Sequence, residues 1–83
     1  MELAIYTRQA CHLCEEMKLE LAPLVEEFGL TLREINIDAD AELAARFGEE
    51  VPVLFLDGRK VAKYRVDLKQ LRRQLEKQKR RNS

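Results

Sequence analysis

Apolar runs separated by polar stretches predict four strands. Apolar residues dominate residues 2–6 and residues 30–37, and each run fits a buried strand followed by a loop. A third run over residues 52–56 ends at Asp57-Gly58, a dipeptide typical of two-residue hairpin turns. Residues 59–64 are therefore predicted to return as a fourth strand, antiparallel to the third.

Apolar residues at helical spacing predict three helices. The first begins near Cys11, has apolar residues every three or four positions up to residue 28, and ends at Gly29. Pro23 lies inside this pattern, and we expect it to kink or locally break the helix. A short helix should end near residue 47, and a last helix should begin after Asp67, whose carboxylate is a candidate N-cap.

The elements therefore follow the order β-α-β-α-β-β-α, which predicts an α/β fold. The first two strands, joined by a helix, should be parallel, and the last two should form an antiparallel hairpin. Helices are expected on both faces of this four-stranded mixed sheet, because each apolar face must be covered. The length of 83 residues suits one domain. We assign the domain to residues 1–79 and a basic C-terminal tail to residues 80–83.

Charge is balanced overall but unevenly distributed along the chain. Residues 1–68 contain eight basic and fourteen acidic side chains, whereas residues 69–83 contain seven basic and one acidic. The basic end has no interleaved aromatic residues, which favours a helix whose cations complement its own dipole over a nucleic-acid or membrane patch. We therefore expect no nucleic-acid or membrane partner, and a monomer. The first residues lack the basic and apolar regions of a secretory signal, so a cytoplasmic location is expected.

Two cysteines, Cys11 and Cys14, lie where the first strand gives way to the first helix. A secreted domain of this size that is stabilised by disulfides normally has four or more cysteines. A purely structural disulfide is therefore not expected for this pair, and its function should come from its local position. A helix N-terminus stabilises a thiolate, and a spacing of three residues places the second thiol within reach of a mixed disulfide on the first. We expect Cys11 to be the exposed, more acidic nucleophile and Cys14 the sheltered resolving thiol.

Other uses of the two cysteines stay open at this point. They could be buried apolar side chains without a redox role. A closed zinc site needs four ligands, and Cys11, Cys14 and His12 supply only three, so no metal is predicted within one chain. An iron–sulfur cluster bridged between two chains, or a thiol-binding module, is the non-enzymatic alternative.

Two polar residues near the cysteines either take part in the thiol chemistry or are solvent-exposed side chains without a role in it. Protonated His12 would raise the thiolate fraction of Cys11, or the imidazole would simply face solvent. Arg8 would stabilise the thiolate or pair with a carboxylate of a thiol ligand, or it would be an exposed loop arginine.

Five blocks of sequence together resemble the short glutaredoxin-like family with a C-H-L-C motif, part of the thioredoxin superfamily. The blocks are Tyr6-Thr7-Arg8, Cys11-His12-Leu13-Cys14-Glu15, Ile37-Asp38, Val51-Pro52-Val53-Leu54 and Leu56-Asp57-Gly58. The resemblance implies a thioredoxin-like fold with sheet order 2-1-3-4, Cys11 as nucleophile and Cys14 as resolving thiol. It also implies a cis peptide bond before Pro52, although trans is the usual state, and pairing of the Val51 backbone with a substrate chain or with glutathione.

The chain also departs from the better-known glutaredoxins. Their motif resembles C-P-Y-C, and their glycine pair before the last helix is replaced here by Arg65-Val66. Asp67 would occupy their ligand-capping position at that helix, or would be only an N-cap. The predicted function is a thiol–disulfide oxidoreductase without a bound cofactor, acting on protein or small-molecule disulfides. Its reductant would be glutathione, as a possible co-substrate, or a thioredoxin-type protein.

Overall fold

The computed structural model describes residues 1–82 and contains four strands and three α-helices in the predicted order. The elements are β1 (Glu2–Thr7), α1 (His12–Phe28), β2 (Thr31–Asn36), a 3-10 turn (Ile37–Ala39), α2 (Ala41–Phe47), β3 (Val53–Leu56), β4 (Arg59–Lys63) and α3 (Leu68–Asn82). The short helix expected before residue 47 is thus divided into the 3-10 turn and α2.

The four strands form one mixed sheet in the order β2-β1-β3-β4, as predicted. Strand β1 is parallel to β2 and antiparallel to β3, and β3 is antiparallel to β4. Asp57 and Gly58 connect the last two strands with φ angles of 47° and 85°. Two consecutive positive φ values match the twist of a tight hairpin, so this turn follows directly from the dipeptide.

Helices cover both faces of the sheet because alternate strand residues point to opposite sides. Leu3 and Ile5 of β1 belong to the larger core, which lies against α1 and α3. Tyr6, the residue after Ile5, points to the opposite side and packs against the smaller core around Phe47 of α2. The members of the larger core are Leu3, Ile5, Met17, Leu21, Leu24, Leu30, Leu54, Leu56, Leu71 and Leu75.

Helix α1 runs without a break through Pro23, so the predicted break is wrong. The ring of Pro23 is exposed, and Leu21 and Leu24 on either side are buried in the core. Proline removes only one N–H donor, whose partner would be the carbonyl of the exposed residue Leu19. A carbonyl on the solvent side of a helix bonds to water, and core packing holds the helix together.

Helix α3 begins after Asp67, whose Oδ1 accepts the N–H of Gln70 at 3.2 Å, and continues to Asn82. The predicted basic tail at residues 80–83 therefore begins inside a helix, and its last residue lies outside the described residues. Arg72 of α3 pairs with Glu27 of α1, and this contact lowers the pKa of the Glu27 carboxyl. No helix within residues 1–82 is both long and apolar enough to cross a bilayer.

A candidate redox site at the start of helix α1

Cys11 is the N-cap residue of helix α1. Its backbone is extended, with φ −98° and ψ 106°, and its Sγ accepts the backbone N–H of Cys14 at 3.1 Å. The first N–H groups of a helix lack intrahelical partners, so one of them points directly at this sulfur. This arrangement stabilises negative charge on Sγ when the thiol is reduced and ionised.

Cys11 and Cys14 form a disulfide across the first turn of α1, with their Cα atoms 5.2 Å apart. Cys14 is only 1% exposed, whereas Cys11 is half-buried and lines a shallow open pocket with Ala10, His12 and Glu15. An incoming sulfur can therefore reach Cys11 but not Cys14. The exposed and sheltered positions agree with the predicted roles, and the roles themselves stay a prediction.

The guanidinium of Arg8 forms hydrogen bonds with two distant parts of the chain, and its role toward Cys11 or a thiol ligand stays a prediction. Its Nη2 and Nε donate to the two carboxylate oxygens of Asp38, at 2.8 and 3.4 Å. Its Nη1 donates to the carbonyl oxygen of Gly48 at 3.0 Å. The guanidinium thus joins the loop before Cys11 to both ends of the segment that contains α2.

His12 is almost fully exposed, with 88% of its side chain accessible. Its Nε2 lies 3.2 Å from Oε1 of Glu16, one helical turn further along α1. A protonated imidazole would therefore form an ion pair with this carboxylate. An influence of His12 on Cys11 stays a prediction.

The Val51–Pro52 peptide bond is cis, as the family resemblance implied. Pro52 is buried and directly precedes β3, whose first residue Val53 pairs with Tyr6 near the end of β1. The loop that contains Cys11 also follows the end of β1. Pro52 and the cysteine loop therefore lie at the same edge of the sheet.

Asp67 lies at the start of α3 and acts as its N-cap. The preceding residues Arg65 and Val66 are exposed and half-buried respectively. The N-cap role is thus observed, and a contact of Asp67 with a thiol ligand stays a prediction. Within residues 1–82, no group of three or more His, Cys, Asp or Glu side chains is arranged to hold a metal ion.

Tyr64 lies at the same edge of the sheet as Pro52, and sequence reasoning missed it. Its N–H donates to the carbonyl of Pro52 at 2.8 Å, and its Oη donates to the carbonyl of Glu49 at 3.0 Å. No motif marks this residue. The only available indication is its place directly after β4, which a hairpin brings opposite the residue before β3.

Glu50, between Glu49 and Val51, is held by two cations of β4. Its Oε1 lies 3.3 Å from the Nζ atoms of both Lys60 and Lys63. Hydrogen bonds from Lys63 and Lys60 lower the pKa of the Glu50 carboxyl below its ordinary value. The loop before Pro52 is therefore tied to β4 through side chains as well as through Tyr64.

Residues 2–76 match the family described as glutaredoxin-like domain (DUF836). The chain belongs to this family. Among relatives of this glutaredoxin-like domain, protein Rv0508 of Mycobacterium tuberculosis is 34% identical over 76 residues, covering 86% of this chain and 78% of Rv0508. A glutaredoxin-like protein of Dictyostelium discoideum is 32% identical, covering 81% of this chain and 68% of that protein.

Solved structures agree with the architecture of this glutaredoxin-like domain. Protein Ne2328 of Nitrosomonas europaea superposes with a TM-score of 0.73 at 36% identity, covering 82% of each chain. Protein XcR50 of X. campestris gives a TM-score of 0.69 at 32% identity, covering 89% of this chain and 95% of that one. Fasciola hepatica thioredoxin, at 20% identity and a TM-score of 0.59, covering 92% of this chain and 78% of its own, is similar in fold. The thioredoxin-like fold expected from the sequence is thus confirmed.

Proposed function

We propose that this glutaredoxin-like domain is a dithiol–disulfide oxidoreductase in which Cys11 attacks and Cys14 resolves. The observation that carries the proposal is the position of Cys11 at the N-cap of α1, with its Sγ accepting the N–H of Cys14. This contact favours the thiolate, which is the nucleophile in disulfide exchange. The 1% exposure of Cys14 then directs the first attack to Cys11.

The reaction balances as an exchange of two electrons between two sulfur pairs. The Cys11 thiolate attacks one sulfur of a substrate disulfide, the substrate S–S bond breaks, and the leaving thiolate takes a proton from solvent. The Cys14 thiol loses a proton and attacks Sγ of Cys11. The second substrate thiol then leaves, and the protein holds the Cys11–Cys14 disulfide seen in the structure.

The oxidised pair needs an external reductant before a second turnover. We propose glutathione or a thioredoxin-type protein thiol for this step, and no bound organic cofactor. The replacement of the glycine pair by Arg65-Val66 favours the protein thiol, because a β-branched side chain hinders close approach of a ligand to the backbone. We therefore expect weak glutathione turnover.

Two coupled assays test this function on the purified chain. The oxidised protein is offered glutathione with its reductase, and separately thioredoxin with its reductase, and NADPH consumption is followed. Cys11→Ser should abolish turnover with either donor, because serine is a far weaker nucleophile. Cys14→Ser should trap mixed disulfides that mass spectrometry detects. Absence of turnover in both assays, together with iron bound by the purified protein, would instead support the cluster-binding alternative.

A further inference from the structure

Tyr64 has a backbone conformation that its side chain disfavours. Its φ angle is 65°, in the left-handed region, which is an unusual choice for a bulky aromatic residue. Such a conformation persists only where surrounding contacts outweigh its cost. At Tyr64 these contacts are the two hydrogen bonds to the carbonyls of Pro52 and Glu49, together with the bond across it from the Arg65 N–H to the Lys63 carbonyl at 2.7 Å.

These hydrogen bonds flank the segment that would receive a substrate. The carbonyls of Glu49 and Pro52 lie on either side of Val51, so one tyrosine holds both ends of the loop around this residue. Lys60 and Lys63 hold the side chain of Glu50 within the same loop. The backbone of Val51 therefore lies in a segment that is held on both sides by hydrogen bonds and ion pairs.

The ring of Tyr64 is also accessible to a ligand. It is 43% exposed and is one of two large apolar side chains with high exposure among residues 1–82, the other being Leu19 on α1. The hydrogen bond from Oη fixes the ring, so contact with a ligand costs little additional conformational entropy. The Nζ of Lys63 lies 5.7 Å from the ring centroid, and the exposed remainder of this ordered ring, next to residues 49–52, provides a contact for an apolar side chain.

We propose that the Tyr64 ring contacts a substrate bound along the Val51 backbone. This contact makes the site select peptide disulfides over glutathione disulfide. The favoured peptides have an apolar or aromatic side chain next to the half-cystine. A peptide that pairs with Val51 in extended conformation places that neighbouring side chain against the ring. Glutathione has glutamyl and glycyl units on either side of its cysteine and offers no apolar side chain for this contact. The proposal rests on the proposed function, since it takes Cys11 as the attacking sulfur.

Mixed disulfides with one common leaving group test the proposal. The three probes join thionitrobenzoate to a cysteine peptide flanked by phenylalanine, to the same peptide flanked by glycine, and to glutathione. The Cys11 thiolate of pre-reduced protein attacks the peptide or glutathione sulfur, and thionitrobenzoate leaves as a coloured thiolate. Because the leaving group is constant, the release rate compares the contacts made by the other half of each probe.

The wild-type protein should react with the phenylalanine probe roughly three- to tenfold faster than with the other two. Tyr64→Gly should remove this preference while keeping the backbone conformation, since glycine adopts positive φ readily. Tyr64→Phe keeps the ring but loses the bond from Oη that fixes it, and should retain most of the preference. Leu19→Ala, which removes the other exposed apolar side chain, is the matched control and should behave as wild type.

Equal rates for the three probes, or faster reaction of the glutathione probe, would overturn the role of Tyr64. Persistence of the preference in Tyr64→Gly, or its loss in Tyr64→Phe, would also overturn the assignment to the ring. These results differ from a failure of the proposed function. In that case wild-type protein would discharge no probe, or Cys11→Ser would react as fast as wild type.

Discussion

The contact between Arg8 and Asp38 gives a quantitative prediction about the loop before Cys11. Two parallel hydrogen bonds of 2.8 and 3.4 Å join the guanidinium to the carboxylate, and the side chains are 42% and 41% exposed. Pairs at this exposure contribute about 0.2–1 kcal/mol to the free energy of unfolding. Because the contact is bidentate, this pair should lie near the upper limit of that range of free energies. We therefore expect a coupling free energy of about 1 kcal/mol.

The third hydrogen bond, from Arg8 to the carbonyl of Gly48 at 3.0 Å, is independent of Asp38. It adds about 0.5–1 kcal/mol to the cost of Arg8→Ala. We therefore expect Arg8→Ala to lower the free energy of unfolding by about 1.5–2 kcal/mol. Asp38→Ala should cost about 1 kcal/mol. The double variant should be close to Arg8→Ala alone, because the coupling is then already lost.

Urea denaturation of the four proteins in the double-mutant cycle measures these free energies. The control cycle is Arg33→Ala with Glu2→Ala, whose single contact is 3.5 Å long between side chains that are 60% and 46% exposed. Its coupling should be below about 0.3 kcal/mol. A coupling between Arg8 and Asp38 no larger than in this control would refute the pairing.

The same contact predicts how Arg8 affects the cysteine chemistry. Because Asp38 already compensates the guanidinium, Arg8→Ala should change the alkylation rate of Cys11 at neutral pH by less than about twofold. A much larger decrease in that rate, in protein that is still folded by circular dichroism, would mean that Arg8 stabilises the Cys11 thiolate after all.

Three further predictions concern the site and the core. In reduced protein at neutral pH, Cys11 should be alkylated faster than Cys14, and mass spectrometry showing preferential labelling of Cys14 would reverse their roles. The lowered pKa of Glu50 stabilises the fold above its ordinary value of 4.5, and that stabilisation is lost as the pH falls through the lowered pKa. Wild type should therefore melt above Glu50→Gln at pH ~7 but not at pH ~3, and an equal difference at both pH values would exclude this linkage. Leu54→Ala, at a fully buried position of the central sheet, should cost about 2–5 kcal/mol in urea denaturation. Leu19→Ala should cost less than about 0.5 kcal/mol, and similar losses for both variants would contradict the assigned core.

The sequence by itself determined the elements and the location of the cysteine pair. Strand periodicity, the turn at Asp57-Gly58 and the cap at Asp67 depend on residues that are close in the chain, and the structure confirms them. The same holds for Cys11 and Cys14, whose spacing of three residues already defines their relation on one helical turn. Pro23 is one exception, since packing of its buried neighbours preserved a helix that local preference would interrupt.

Only the tertiary structure decided the long-range partners of Arg8 and Tyr64. Arg8 binds Asp38, thirty positions away, and Tyr64 binds the carbonyls of Glu49 and Pro52 across the β3–β4 hairpin. These contacts depend on strand order and register, which bring together backbone groups that no local spacing relates. In the unfolded chain, an arginine or tyrosine side chain can form hydrogen bonds of similar free energy with many different groups. The packed sheet selects one of them by fixing where the carbonyls and carboxylates lie.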